Sequence, residues 1–226
     1  MDKEKSDSHL ADSFLAFAAQ LGADISKPDF SLSINETEQS WAQAQLGKLR
    51  QPLIAIHPFA SKQERNWEFE HYAEVIQAAI NTWHAGILLT GGSSADERDC
   101  CARLANIAPE HTLNLCGQTT PKQLAALLSQ ADVLIAPDTG PVHIARAMNT
   151  PVIGLYAVAS PVLSGPYKAQ EFIVNRYPEA VHKFLGKDPE QVPWNTRVHH
   201  PGAMALIQTE DVLQQLNKLF GAPNHA

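Results

Sequence analysis

The densest concentration of chemistry in the sequence is Pro137-Asp138-Thr139-Gly140-Pro141-Val142-His143. The apolar run Asp132-Val133-Leu134-Ile135-Ala136 precedes it, and Pro141 to Met148 follows as a short helical segment. Asp138 or Thr139 can cap such a helix, Gly140 lets a ligand approach the backbone, and Pro141 suits a first helical turn. Unpaired amides and the helix dipole at that point make an anion site, and a diphosphate is the ligand they suit. His143, one turn inside, can add a donor. The same residues also fit a plainer role, in which Asp138 and Thr139 only cap the helix and His143 packs.

Two other loops carry suitable groups. His57 to Trp67 (HPFASKQERNW) holds one hydroxyl, two cations and an aromatic. Ser61 with Lys62 or Arg65 can hold phosphate oxygens while Trp67 anchors the loop by packing; a solvated polar loop has the same composition. Gly91-Gly92-Ser93-Ser94-Ala95-Asp96-Glu97-Arg98 combines a glycine turn with carboxylates that can accept ribose hydroxyls. An acidic first helical turn is also favoured by the dipole alone.

These loops need a frame, and the pattern supplies one. Leu53-Ile54-Ala55-Ile56, Gly86 to Thr90, Thr112 to Leu115, Asp132 to Ala136 and Val152 to Tyr156 are short strand-like runs. Between them lie segments of helical period: Phe69 to Trp83, Ala95 to Ile107, Pro121 to Gln130 and Pro141 to Met148. Thr120-Pro121-Lys122-Gln123 has the form of a capping box with proline at the first helical position. Strands apolar on both faces, separated by amphipathic helices, predict an α/β fold: a doubly wound, parallel, Rossmann-like sheet covered on both sides.

Outside that frame the pattern is looser. Residues 1–8 are polar and charged, an expected disordered start. Residues 9–50 form a linker or helical segment, with one helix from Leu10 to Leu21 and another from Glu36 to Leu49. The Rossmann-like domain is expected over 51–226, with Glu171 to Asn175 as a sixth strand, Pro178 to Leu185 as a short helix and Thr209 to Phe220 as a closing helix.

The chain of 226 residues carries a formal charge of −7 and is 44% apolar and 18% charged. That composition belongs to a packed globular protein, and the acidic balance argues against nucleic acid as a partner. No apolar run reaches the roughly 20 residues that span a bilayer. MDKEKSDSHL lacks the order of a secretion signal, so a cytoplasmic location is expected. Cys100, Cys101 and Cys116 have neither disulfide nor zinc spacing, and His199-His200 has no third metal ligand nearby in sequence. No G-x-G-x-x-G, P-loop or G-x-S-x-G motif occurs. A small phosphate-ester ligand survives these exclusions.

Taken in order, Arg65-Asn66-Trp67, LLTGGSSADE and LCGQTTPKQLAALLSQADVLIAPDTGPVHIARAMNTPVIGLY resemble the bacterial heptosyltransferase-like enzymes of glycosyltransferase family 9. The resemblance covers roughly Pro52 to Pro166. It implies the carboxyl-terminal, donor-binding half of a GT-B fold. Asp138, Thr139, Gly140 and Pro141 would hold the diphosphate, with His143 close by. Ser61 and Arg65 would contact phosphate or sugar, Arg65 standing where the family commonly has Lys, and Glu97 would contact ribose. Phe59-Ala60 and Glu68 depart from the family pattern. The implied reaction moves a sugar, heptose in this family, from a nucleoside-diphosphate sugar to a lipopolysaccharide-core acceptor, with no metal or other cofactor.

The resemblance also implies an amino-terminal Rossmann-like domain that supplies the catalytic base and most of the acceptor site. The expectation is that this domain is missing here, that residues 9–50 are the connection following it, and that the apolar stripe of the first helix invites self-association. Two other readings stay open: a stand-alone nucleotide-sugar-binding module or subunit, and an enzyme like the UDP-sugar 2-epimerases.

Overall fold

The computed structural model describes residues 9–222. Its centre is a sheet of six strands among the described residues: β1 (Leu53–Ile56), β2 (Gly86–Leu89), β3 (Thr112–Asn114), β4 (Val133–Pro137), β5 (Val152–Tyr156) and β6 (Val174–Asn175). They lie in the order β3-β2-β1-β4-β5-β6, and every pairing is parallel. All residues of β1, β2, β4 and β5 are buried. Ile54, Ile56, Val133 and Ile135 face one apolar cluster, and Leu53, Ala55, Leu134 and Ala136 face the other. A period of two with both faces covered explains why these runs are apolar at every position.

The helices supply the covers. On one side α3 (Phe69–Trp83) packs against α9 (Thr209–Phe220) and α4 (Ala95–Ala105). Tyr72, Val75, Ile76, Ala79 and Ile80 form the buried stripe of α3. On the other side α2 (Glu36–Leu46) packs against α5 (Pro121–Leu128), which adjoins α6 (Gly140–Ala147). The capping box expected at α5 is present, Thr120 accepting from the Gln123 N–H and Gln123 from the Thr120 N–H. Each fully buried Leu or Ile contributes roughly 1.5–3 kcal/mol by leaving water, so the two layers hold the sheet edges in register.

Ala42 and Leu46 of α2 are buried in the second cluster, so the later part of residues 9–50 packs with the sheet. In contrast, α1 (Leu10–Gln20) buries no residue and leaves Phe14 and Phe17 about two-thirds exposed. Polar contacts at its start tie it down: His9 Nε2 donates to Gly165 O at 2.8 Å, and Tyr167 Oη donates to Asp12 Oδ1 at 2.6 Å. The expected disordered start, residues 1–8, lies outside the described residues.

The looser carboxyl-terminal pattern produced the largest departures. The sixth strand is only Val174–Asn175, and the helix expected from Pro178 to Leu185 is α8 (Tyr177–Ala180) running into a π-turn that ends at Gly186 with φ of 63°. Four-residue α7 (Pro161–Ser164) was not foreseen. Short, proline-rich pieces lack the two or three turns that reveal a period. Among the described residues no helix is long and apolar enough to cross a membrane.

Candidate functional site

Strand order reverses between β1 and β4, so their crossovers leave in opposite directions and open a crevice beyond the carboxyl ends. A cleft of about 580 Å³ occupies that place. The loop after β1 brings His57 and Ser61, the loop after β2 brings Gly91, Gly92 and Glu97, and the approach to α5 brings Thr119. Thr139, Gly140, Pro141 and His143 close the cleft from β4 and α6. Six of the eight residues predicted from sequence thus line one hollow, though the loops carrying them are far apart in the chain. Among the described residues two other hollows of similar size lie between the loop after β1 and residues 199–201 and among the segments after β5, but neither is lined by a residue of the loops after β2 or β4.

At the start of α6, Thr139 occupies the N-cap position in extended conformation, and neither Asp138 nor Thr139 caps the helix through its side chain. The capping role expected from sequence is therefore corrected. Asp138 is 8% exposed, and a buried carboxylate needs cationic or hydrogen-bonding partners. Arg65 Nη1 lies 3.2 Å from Asp138 Oδ2 and donates to the Asp138 carbonyl at 3.3 Å. Ser164 Oγ, at the end of α7, stands 3.3 Å from both carboxylate oxygens. Arg65 and Asp138 are the two predicted residues that do not line the cleft; they form an ion pair beside it.

This pairing leaves the α6 terminus to its backbone. Pro141 has no N–H to satisfy, and among the described residues nothing beyond the adjoining chain and its own helix backbone lies within 4 Å of the place a Cβ on Gly140 would occupy. The backbone at Gly140 is exposed to the cleft, open to close approach by an anion. His143 stands on the rim, where partial desolvation lowers its pKa and the Asp138 charge opposes that shift.

Protein neighbours explain the other glycines. A Cβ at Gly91 would lie 2.5 Å from Cys116 Sγ, and one at Gly92 would lie 2.8 Å from Glu97 Oε1. Glu97 Oε2 accepts the Gly92 N–H, and Glu97 Oε1 accepts from Ser94 Oγ at 3.2 Å. The carboxylate expected to meet a ribose therefore also fixes the glycine turn that borders the cleft. Burial raises the pKa values of the Cys101 and Cys116 thiols, which suits packing rather than nucleophilic attack.

His57 was missed as a site residue. The residue is 9% exposed, with Nδ1 3.1 Å from Thr90 Oγ1; the Thr90 hydroxyl donates to Ile56 O at 3.4 Å. This chain assigns the hydrogen to Nδ1 and leaves Nε2 as an acceptor. Desolvation lowers the pKa to about 4, the Glu97 charge opposing it. A signal existed: His57 directly follows β1, the position from which an open α/β sheet presents ligand groups. Trp67 serves as predicted, 4% exposed with Nε1 donating to Ile207 O at 2.9 Å.

Residues 1–192 match the sequence model of glycosyltransferase family 9 (heptosyltransferase). The chain belongs to that family. It is 34% identical over 211 residues to the lipopolysaccharide core heptosyltransferase OpsX of Haemophilus influenzae, covering 93% of this chain and 60% of that protein. Lipopolysaccharide heptosyltransferase 2 of Escherichia coli is 26% identical, covering 84% of this chain and 53% of that protein. Among solved structures, a family 9 glycosyl transferase from Veillonella parvula superposes with a TM-score of 0.73 at 21% identity, covering 94% of this chain and 60% of that one. Heptosyltransferase WaaC of E. coli with ADP gives 0.59 at 21% identity, covering 89% and 53%. These likenesses show the same parallel α/β fold. The family 9 chain described here thus spans about half to three-fifths of the relatives it matches.

Proposed function

We propose that the cleft beyond β1, β2 and β4 holds the nucleoside-diphosphate sugar of a family 9 transfer reaction. The observation carrying this reading is the bare start of α6: an exposed glycine backbone, open space before it and an arginine pair-bonded alongside. The diphosphate would rest on the amides of Thr139 and Gly140, where the helix dipole favours negative charge. Ser61 and His143 would add donors from opposite walls, and Glu97 would meet ribose hydroxyls. Charge growing on the leaving diphosphate would be stabilised by the same amides and by Arg65, a preorganised arrangement that calls for no metal ion.

Heptose is the proposed sugar and a lipopolysaccharide-core hydroxyl the proposed acceptor. The names of the relatives support this, and WaaC has been solved with ADP and with ADP-2-deoxy-2-fluoro heptose. The base that activates the acceptor is assigned to a second Rossmann-like domain facing the cleft. Calorimetry of the 226-residue chain with ADP tests the donor site, with weak binding expected. A transfer assay with ADP-heptose and a core acceptor tests the division of labour, with little turnover expected until an amino-terminal half is added. Absence of ADP binding would overturn the donor assignment, and robust turnover by the chain alone would overturn the second. Tight binding with no rescue would instead favour a stand-alone binding module.

A further inference from the structure

Asp138 carries a second basic neighbour that no sequence pattern indicated. Arg197 Nη1 lies 4.0 Å from Asp138 Oδ2, the same oxygen that Arg65 approaches at 3.2 Å. Arg197 arrives from the far end of the chain by a defined route. It forms an antiparallel bridge with Ala159, and the next residue, Val198, donates its N–H to Val158 O at 2.8 Å. Tyr177 Oη donates to Thr196 O at 3.0 Å on the other side. The segment is therefore clasped to the chain leaving β5, and Arg197 is held in place.

The charge balance is informative. Arg65 and Asp138 alone would cancel, leaving a diphosphate beside α6 with no net cation. Adding Arg197 gives two guanidiniums to one carboxylate, one unit of positive charge in excess. Arg65 Nε and Arg197 Nη1 are moreover buried donors without hydrogen-bond partners among the described residues, an arrangement that native proteins keep rare. A shared carboxylate with surplus donors is suited to complete its charge balance with an anion.

Building on the donor-site reading above, we propose that Arg197 is a positioning residue for the donor diphosphate. Through Asp138 it leaves Arg65 only partly neutralised, so that Arg65 faces the anion with usable charge.

The test compares ADP with adenosine, which shares the base and ribose but lacks the phosphates. In Arg197→Gln, ADP should bind about tenfold more weakly, the size of one charged contact, while adenosine affinity stays the same. Arg197→Lys should bring ADP affinity back to within about threefold of the parent chain. A merely structural role would weaken both ligands together. Equal ADP affinity in the parent chain and a folded Arg197→Gln protein would overturn the Arg197 proposal alone. Failure of the parent chain to bind ADP would instead remove the donor reading beneath it. Should Arg197→Gln not fold, Arg197→Lys decides: a loss beyond about tenfold for ADP refutes a role based on charge.

Discussion

The buried imidazole of His57 makes acid stability a quantitative test of the cleft. Its ordinary pKa of 6.5 falls to about 4 in the folded chain, because desolvation outweighs the attraction of Glu97. The unfolded chain therefore binds more protons than the native one between those values. Stability attributable to the neutral ring is fully present above pH 6.5, declines as pH falls through that window, and changes no further below about 4. The gap corresponds to about 3 kcal/mol overall, of which about 2 kcal/mol is already lost at pH 5. Glutamine at this position can still donate toward Thr90 and does not titrate. Urea unfolding at pH 7.5 and pH 5 followed by circular dichroism should thus show a drop between the two pH values that is smaller by about 2 kcal/mol in His57→Gln. His143, whose pKa is also lowered, contributes equally to both proteins and cancels in the comparison. Identical pH dependence in the two, or an NMR titration of the His57 ring near 6.5, would refute the assignment of a dry, neutral imidazole in the cleft wall.

Two substitutions probe the α6 terminus. Asp138→Ala should lower stability by about 2–4 kcal/mol in urea unfolding, more than the roughly 1 kcal/mol of a lost cap, because Arg65 and Ser164 lose their shared partner and Arg197 a nearby counter-charge; a loss near 1 kcal/mol would favour capping after all. Among the described residues Gly140→Ala meets nothing beyond the adjoining chain and its own helix backbone, so its melting temperature should equal or exceed that of the parent chain, whereas a methyl added at this cleft-lining position should weaken ADP binding about tenfold or more. Undiminished ADP affinity in that variant would place the nucleotide elsewhere.

The extent to which the sequence was legible follows the range of the forces involved. Strand β1 and helices α3 and α9 appear at the boundaries expected, since a two-residue or 3.6-residue period is written in adjacent positions. The box at Thr120 to Gln123 is equally local, a bond between residues three apart. Ser61, Glu97, Thr139, Gly140, Pro141 and His143 line one cleft because a parallel sheet sends all its strand-end loops to one edge, so their shared placement was legible together with the fold.

Asp138 shows where that legibility ends. Its sequence neighbours make it look like a helix cap, and within a short peptide the nearest donors would be those of α6. In the folded chain its carboxylate turns to Arg65, a partner 73 positions away, with Ser164 and Arg197 completing its surroundings. The sequence alone determined the layered α/β frame and the edge at which its strand-end loops gather, because those depend on periodicity and on the handedness of connections. Which side chains there carry charge into the cleft, and which are consumed by pairing, was decided only by tertiary packing. Burial makes an unpaired carboxylate costly, and the partner that meets Asp138 is chosen by proximity in space.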